Sequence, residues 1–171
     1  MEKFLKLGAD PNKMGRNGNQ PIHYLSMKKS EQYLFDILFE KSNNININAK
    51  NMYGNTPIRL AAKNDNLPGI KFLVKKKADL NIMGNFNYTP ITSAAVFDNF
   101  KIFNYLLDAG ANLLILDQDK NNILHKIAKS KRYKNKKHDK YIERISQLHP
   151  ELIDMKNIND KTPKDILEIK K

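Results

Sequence analysis

Apolar residues recur along the chain at helical spacing in short blocks, separated by polar turns. Ile70, Leu73 and Val74 form one such block, and Ile102, Phe103, Leu106 and Leu107 another, each fitting one face of a helix. Upstream of each block a Thr-Pro pair precedes a shorter apolar segment that ends in two alanines, Ala61-Ala62 and Ala94-Ala95. Thr caps free N–H groups at a helix start, and Pro in the first turn loses no donor the helix needs. The alanines are small enough to let two helices approach closely. The pattern therefore predicts pairs of short helices and no strand-like alternation.

The blocks repeat. Gly54-Asn55-Thr56-Pro57-Ile58-Arg59-Leu60-Ala61-Ala62 aligns with Asn87-Tyr88-Thr89-Pro90-Ile91-Thr92-Ser93-Ala94-Ala95, 33 positions on. Gly18-Asn19-Gln20-Pro21-Ile22-His23, Lys120-Asn121-Asn122-Ile123-Leu124-His125 and Asp160-Lys161-Thr162-Pro163-Lys164-Asp165 fall in phase with them. Between them run Leu7-Gly8-Ala9-Asp10-Pro11-Asn12, Lys76-Lys77-Ala78-Asp79-Leu80-Asn81 and Ala109-Gly110-Ala111-Asn112. A unit of this size buries too little apolar surface alone, and stacking makes one core of many.

In its period and in both boxes the sequence resembles the ankyrin-repeat family over essentially its whole length. The resemblance implies an all-α solenoid of helix-turn-helix repeats joined by hairpin-like turns, forming a single domain over 1–171. Its full repeats are 15–50, 51–83, 84–116 and 117–156, and 1–14 and 157–171 are partial ones. The half-repeats at both ends are expected to act as caps or to continue into a longer protein. Asn87, Lys120 and Asp160 stand where the turn favours Gly, and Lys77 stands at a helix end that favours Gly, which would cost on the order of 1–3 kcal/mol if the geometry is kept. Seven extra residues are expected between the helices of repeat 117–156.

Composition changes this picture only in part. The 171 residues contain no cysteine, which removes disulfides, thiolate metal sites and Cys nucleophiles. Lys+Arg is 30 against 18 Asp+Glu, a formal charge of +12. More than half of it lies between Lys126 and Lys140, where Lys129, Lys131, Arg132, Lys134, Lys136 and Lys137 stand among eight cations opposed by Asp139. That segment is a candidate for acidic-surface, polyanion or nuclear-import contact. One aromatic and one arginine make it a poor nucleic-acid reader. The longest plain apolar run, Leu113–Leu116, is far short of the ~20 residues of a membrane span, and no secretory leader is visible.

No P-loop, dinucleotide fingerprint or nucleophile elbow occurs, and His138 and His149 lack metal-ligand spacing. No enzyme, cofactor or metal is expected within this segment, and no small-molecule substrate. The resemblance implies that His23 and His125 bond neighbouring turn and helix backbone. It also implies a protein partner held on exposed turn and inner-helix positions, here Met52, Tyr53, Asn55, Phe86, Tyr88, Val96 and Phe97. Leu73 followed by Asp79-Leu80-Asn81 is similar to the pattern that asparaginyl hydroxylase modifies in animal cells, which makes Asn81 a hydroxylation candidate. A monomeric, intracellular, cytoplasmic binding scaffold is expected, with nuclear entry open through the basic segment. Lys/Asn/Ile-rich ankyrin proteins resemble secreted effectors of intracellular bacteria or poxvirus host-range proteins, which would place the target in a host cell. The alternatives are a targeting segment of a larger effector enzyme, or polyanion binding through 126–140.

Overall fold

A computed structural model describes residues 10–28, 32–40, 42, 44–130 and 138–168. Their internal contacts group them into two compact units, Met1–Pro90 and Ile91–Lys171. Among the described residues regular structure is entirely helical.

In the first unit the helices are α1 (Pro21–Met27), α2 (Gln32–Glu40), α3 (Pro57–Lys63) and α4 (Leu67–Lys75). Helix α3 begins as the Thr-Pro signal requires. Thr56 Oγ1 accepts the Arg59 N–H at 3.4 Å and Pro57 takes the first position. Asn66 starts α4, its Oδ1 accepting from Gly69 N at 2.9 Å while its Nδ2 donates to Leu25 O at the end of α1. Ile22, Leu25, Phe35, Leu38, Ile58, Ile70 and Leu73 form the core, where Phe35 stacks on Phe72 with centroids 5.1 Å apart.

In the second unit α5 (Pro90–Val96) and α6 (Phe100–Asp108) form one pair, α7 (Ile123–Lys129) and α8 (Asp139–Leu148) the next, and α9 (Pro163–Glu168) follows. Ile102, Phe103, Leu106, Leu124, Ile127, Tyr141 and Ile145 are fully or nearly fully buried. Residues 64–66 separate α3 from α4, whereas 130–138 separate α7 from α8, so the extra length lies between those helices.

The backbone keeps the glycine geometry even where glycine is missing. Asn87, Lys120 and Asp160 have φ of 55, 58 and 57°. Lys77 has φ 61° and closes α4 with two backward bonds, Lys77 N to Val74 O and Ala78 N to Leu73 O, both 2.9 Å. Gly110 closes α6 in the same way. Lys77→Gly is therefore expected to stabilise the fold by about 1 kcal/mol by relieving the left-handed side chain. Urea denaturation should show a higher midpoint for it and a lower one for Lys75→Gly, the last helical residue of α4.

Candidate functional site

The turns that precede the short helices carry two exposed aromatic side chains, Tyr53 and Phe86, and their geometry is written in the first residue of each turn. Where that residue is Asn or Asp, its side chain holds the turn from within. Asn51 Oδ1 accepts from Tyr53 N and Asn55 N, both at 3.0 Å. Asp117 Oδ1 accepts from Asp119 N and Asn121 N, and Asn157 Oδ1 from Asn159 N and Lys161 N. These turns have one left-handed residue each, Gly54, Lys120 and Asp160.

Glycine begins the other two turns, 15–19 and 84–88, and removes that acceptor. Both then place two consecutive residues in the left-handed region, Asn17-Gly18 and Phe86-Asn87. Asn tolerates this, but a phenylalanine at φ 60° and ψ 20° is a strained residue. The Phe86 ring is 72% exposed, so burial of its surface does not offset the strain.

What holds Phe86 there is Arg59. It occupies the position that His23 and His125 take in their repeats, and it is 2% exposed. Its Nη1 donates to Asn55 Oδ1 at 2.6 Å and its Nη2 to Asn85 O at 2.9 Å. Asn55 Oδ1 also accepts from Asn85 N at 2.9 Å, so both peptide groups of Asn85 are clamped from beneath. The guanidinium lies 5.9 Å from the Tyr88 ring centroid, and its Nε has no hydrogen-bond partner. These partners are all neutral. Burial pulls the guanidinium down to about 10, so it remains a cation at neutral pH at some cost to folding.

The clamp is possible because residue 84 is glycine. In two other turns the Asn at the first position donates to the Asn that ends the preceding turn: Asn51 Nδ2 to Asn19 Oδ1 and Asn157 Nδ2 to Asn121 Oδ1, both 2.8 Å. With no side chain at 84, Asn55 Oδ1 is left for Arg59 and Asn85 N. A Cβ at 84 would lie 2.7 Å from both Arg59 Cδ and Asn55 Oδ1. The three turns of this unit pack directly together, Met52 N donating to Asn17 O at 3.0 Å.

The expected partner-binding residues are thus distributed unevenly. Met52, Tyr53 and Phe86 are 79, 54 and 72% exposed, on adjacent packed turns. Tyr88 is half-buried, its ring 6.0 Å from that of Phe86. Asn55 is 6% exposed and belongs to the clamp rather than to the surface. In the second unit Phe97 is half-buried. Val96 does not stand on an exposed position: it is 3% exposed, and its carbonyl meets His138 Nε2 at 3.3 Å, where the chain returns after the basic insertion. Asn81 is exposed, its N–H donated to Asp79 Oδ1 at 2.8 Å.

Of the basic candidates Lys129 lies in α7 and donates to Asn121 Oδ1 at 2.8 Å. Lys131, Arg132, Lys134, Lys136 and Lys137 lie outside the described residues. The flanks of that segment are compensated from elsewhere. Lys126 pairs with Asp117, and Lys140 pairs with Asp98 at 3.1 Å while resting on the Phe100 and Tyr141 rings. Burial works against the Asp117 carboxylate, but bonds from Lys126 and Asn121 outweigh it and hold it below the usual range.

The histidines are structural. His23 Nδ1 accepts from Gln20 N at 3.1 Å, and its Nε2 faces Ala49 O and Asn55 O at 3.0 and 3.2 Å. His125 repeats this with Asn122 N and Lys161 O. At His23 an acceptor role at Nδ1 and carbonyls at Nε2 require the neutral ring protonated on Nε2, whereas His125 Nδ1 also lies 2.9 Å from Asn122 Oδ1. Burial lowers both below the ordinary histidine value. The unfolded chain then binds the proton more readily than the folded one. Stability is full above about pH 7 and falls as pH drops through about 6.5, before any carboxylate protonates. Thermal melts at pH 7.5 and 5.5 should show a loss that shrinks in His23→Gln and His125→Gln.

The geometry of helix pairs joined by packed, glycine-dependent turns is that of the ankyrin repeat. A family model for ankyrin repeats (three copies) matches residues 1–84, just under half of the chain, so the chain carries ankyrin repeats. An ankyrin repeat protein of Rickettsia felis is 35% identical over 78 residues, covering 46% of this chain and 25% of that protein. Alpha-latrocrustotoxin-Lt1a of Latrodectus tredecimguttatus is 36% identical over 81 residues, covering 47% of this chain and 6% of the toxin. The chain thus spans a quarter or less of the length of these curated relatives. Ankyrin repeats mediate protein–protein contact and are typically non-catalytic. Among the described residues no helix is long and apolar enough to cross a membrane.

Proposed function

We propose that this chain is a protein-binding module whose partner is seated on the turn edge of the first unit, with Tyr53 and Phe86 as anchors and Met52 beside them. The observation that carries the reading is Phe86, a large exposed ring held in a strained conformation by a buried clamp. Strain kept at an exposed aromatic favours pre-organisation for binding over stability. The repeats 15–50, 51–83, 84–116 and 117–156 supply the scaffold, and the segment needs no cofactor. Within a longer protein it would serve as the targeting part. The finer reading is an effector acting on a host protein in the cytoplasm.

Phe86→Gly separates binding from folding. Glycine accepts the left-handed conformation, so the melting temperature should rise by a few degrees, about 1 kcal/mol. Proteins captured by the wild-type chain from a host-cell extract should fall at least tenfold with this variant by quantitative mass spectrometry. An unchanged captured set with the stabilised variant would sink the reading.

A further inference from the structure

The exposed ring of Phe86 sits in a segment pattern that is free of carboxylates. The stretches 11–28, 44–63 and 80–90 build the three turns and the short helices α1 and α3 of the first unit. They contain Lys13, Arg16, Lys28, Lys50, Arg59 and Lys63 and not one Asp or Glu. The carboxylates described in this unit, Asp10, Asp36, Glu40, Asp65 and Asp79, lie outside those stretches. The turns of the second unit differ: Asp117, Asp119 and Asp160 stand at turn positions there. The turns 15–19, 51–55 and 84–88 therefore join exposed apolar side chains to cations with no carboxylate among them, Asp10 and Asp79 lying one residue outside the stretches. Arg16 and Lys50 are exposed on it, and the buried Arg59, bonded to neutral groups, adds a fixed positive charge beneath it.

We propose that this edge takes an acidic, apolar peptide segment of a partner protein, whose hydrophobic side chains rest on Phe86, Tyr53 and Met52 and whose carboxylates meet Arg16 and Lys50. The proposal rests on the protein-binding reading above and adds the partner's chemistry to it. Apolar anchors supply most of the affinity, while a single-sign charged rim selects the partner and speeds its approach. A basic partner segment would face repulsion from every charged group on these turns.

The test uses the full chain as bait for a phage-displayed library of random dodecapeptides. The peptides most enriched are then synthesised with fluorescein and titrated by anisotropy. Expected are sequences in which Asp and Glu outnumber Lys and Arg and in which Leu, Phe or Trp recur. Their affinity should drop at least tenfold with Arg16→Glu/Lys50→Glu, whose substituted side chains are exposed, and at least tenfold with Phe86→Gly. Raising salt from 0.05 to 0.3 M should weaken the wild type more than the charge-reversed variant. Enriched peptides without an acidic excess, still lost with Phe86→Gly, would overturn the acidic partner and leave the protein-binding reading standing. Peptides indifferent to Phe86→Gly, or no enrichment, would overturn both. A fluorescein-labelled DNA duplex bound as tightly as the peptides would overturn the proposal in favour of a polyanion.

Discussion

Truncating Arg59 to alanine is expected to cost the fold about 3 kcal/mol, the range of a fully buried long side chain whose hydrogen bonds are also lost. Two effects compete at this position. The cation is buried beside neutral groups, which penalises folding, while its stem fills the space under the 84–88 turn and its Nη2 satisfies Asn85 O. Alanine removes the filling and leaves the carbonyl with a single weak bond from Tyr88 N at 3.4 Å. Methionine keeps most of the volume and removes the buried charge, so Arg59→Met should lie within about 1 kcal/mol of the wild type. The two variants share one functional defect, because both release Asn85 and with it the setting of Phe86. Urea denaturation should separate them in stability by at least 2 kcal/mol, roughly a thirtyfold difference in the folding constant, while peptide affinity falls alike in both. Equal stabilities would show that the charge, not the volume, decides this site.

The fold was legible because its signals are local. The Thr-Pro starts, the paired alanines and the Leu/Ile faces each lie within one repeat, and phase agreement across five boxes carries them over the chain. The left-handed positions of Lys77, Lys120 and Asp160 were legible for the same reason, since alignment with glycine named the backbone they must adopt. The exposure of Tyr53 and Phe86 followed from register. What escaped was long-range. Val96 reads as a solvent position within its own repeat, yet it is 3% exposed, and its carbonyl is met by His138, 42 residues further on. Asn55 reads as a turn residue open to a partner, yet it becomes part of a clamp only because Arg59 replaces a histidine and Gly84 replaces Asn or Asp. That signal is present in the sequence as a column: Gly15, Asn51, Gly84, Asp117 and Asn157 share one turn position. Down the repeats the column separates the three turns held by their own Asn or Asp from the two that begin with glycine, of which 84–88 is held from beneath by Arg59.

Gly84→Ala is the sharpest check on that dependence, with an expected loss of about 2–3 kcal/mol. The penalty is mainly steric. Gly84 has φ −118° and ψ −147°, so the added methyl meets no left-handed strain. It meets Arg59 Cδ and Asn55 Oδ1 at 2.7 Å and Gly54 O at 3.1 Å instead, and the last is backbone that cannot swing aside. Gly110→Ala provides the opposite case. There φ is 87° and nothing lies within 4 Å, so about 1–2 kcal/mol is expected from conformation alone. The two glycines should therefore respond differently to a second change. In the Arg59→Ala background the space beneath residue 84 opens and Asn55 loses a bonding partner, so the Gly84→Ala loss should shrink by about 1–2 kcal/mol. The Gly110→Ala loss should add to Arg59→Ala unchanged, since it lies in the other unit and has no neighbour to relieve. Full additivity at Gly84, measured as a double-mutant cycle by urea denaturation, would mean that Arg59 does not depend on the missing side chain, and the account of how Phe86 is held would fall with it.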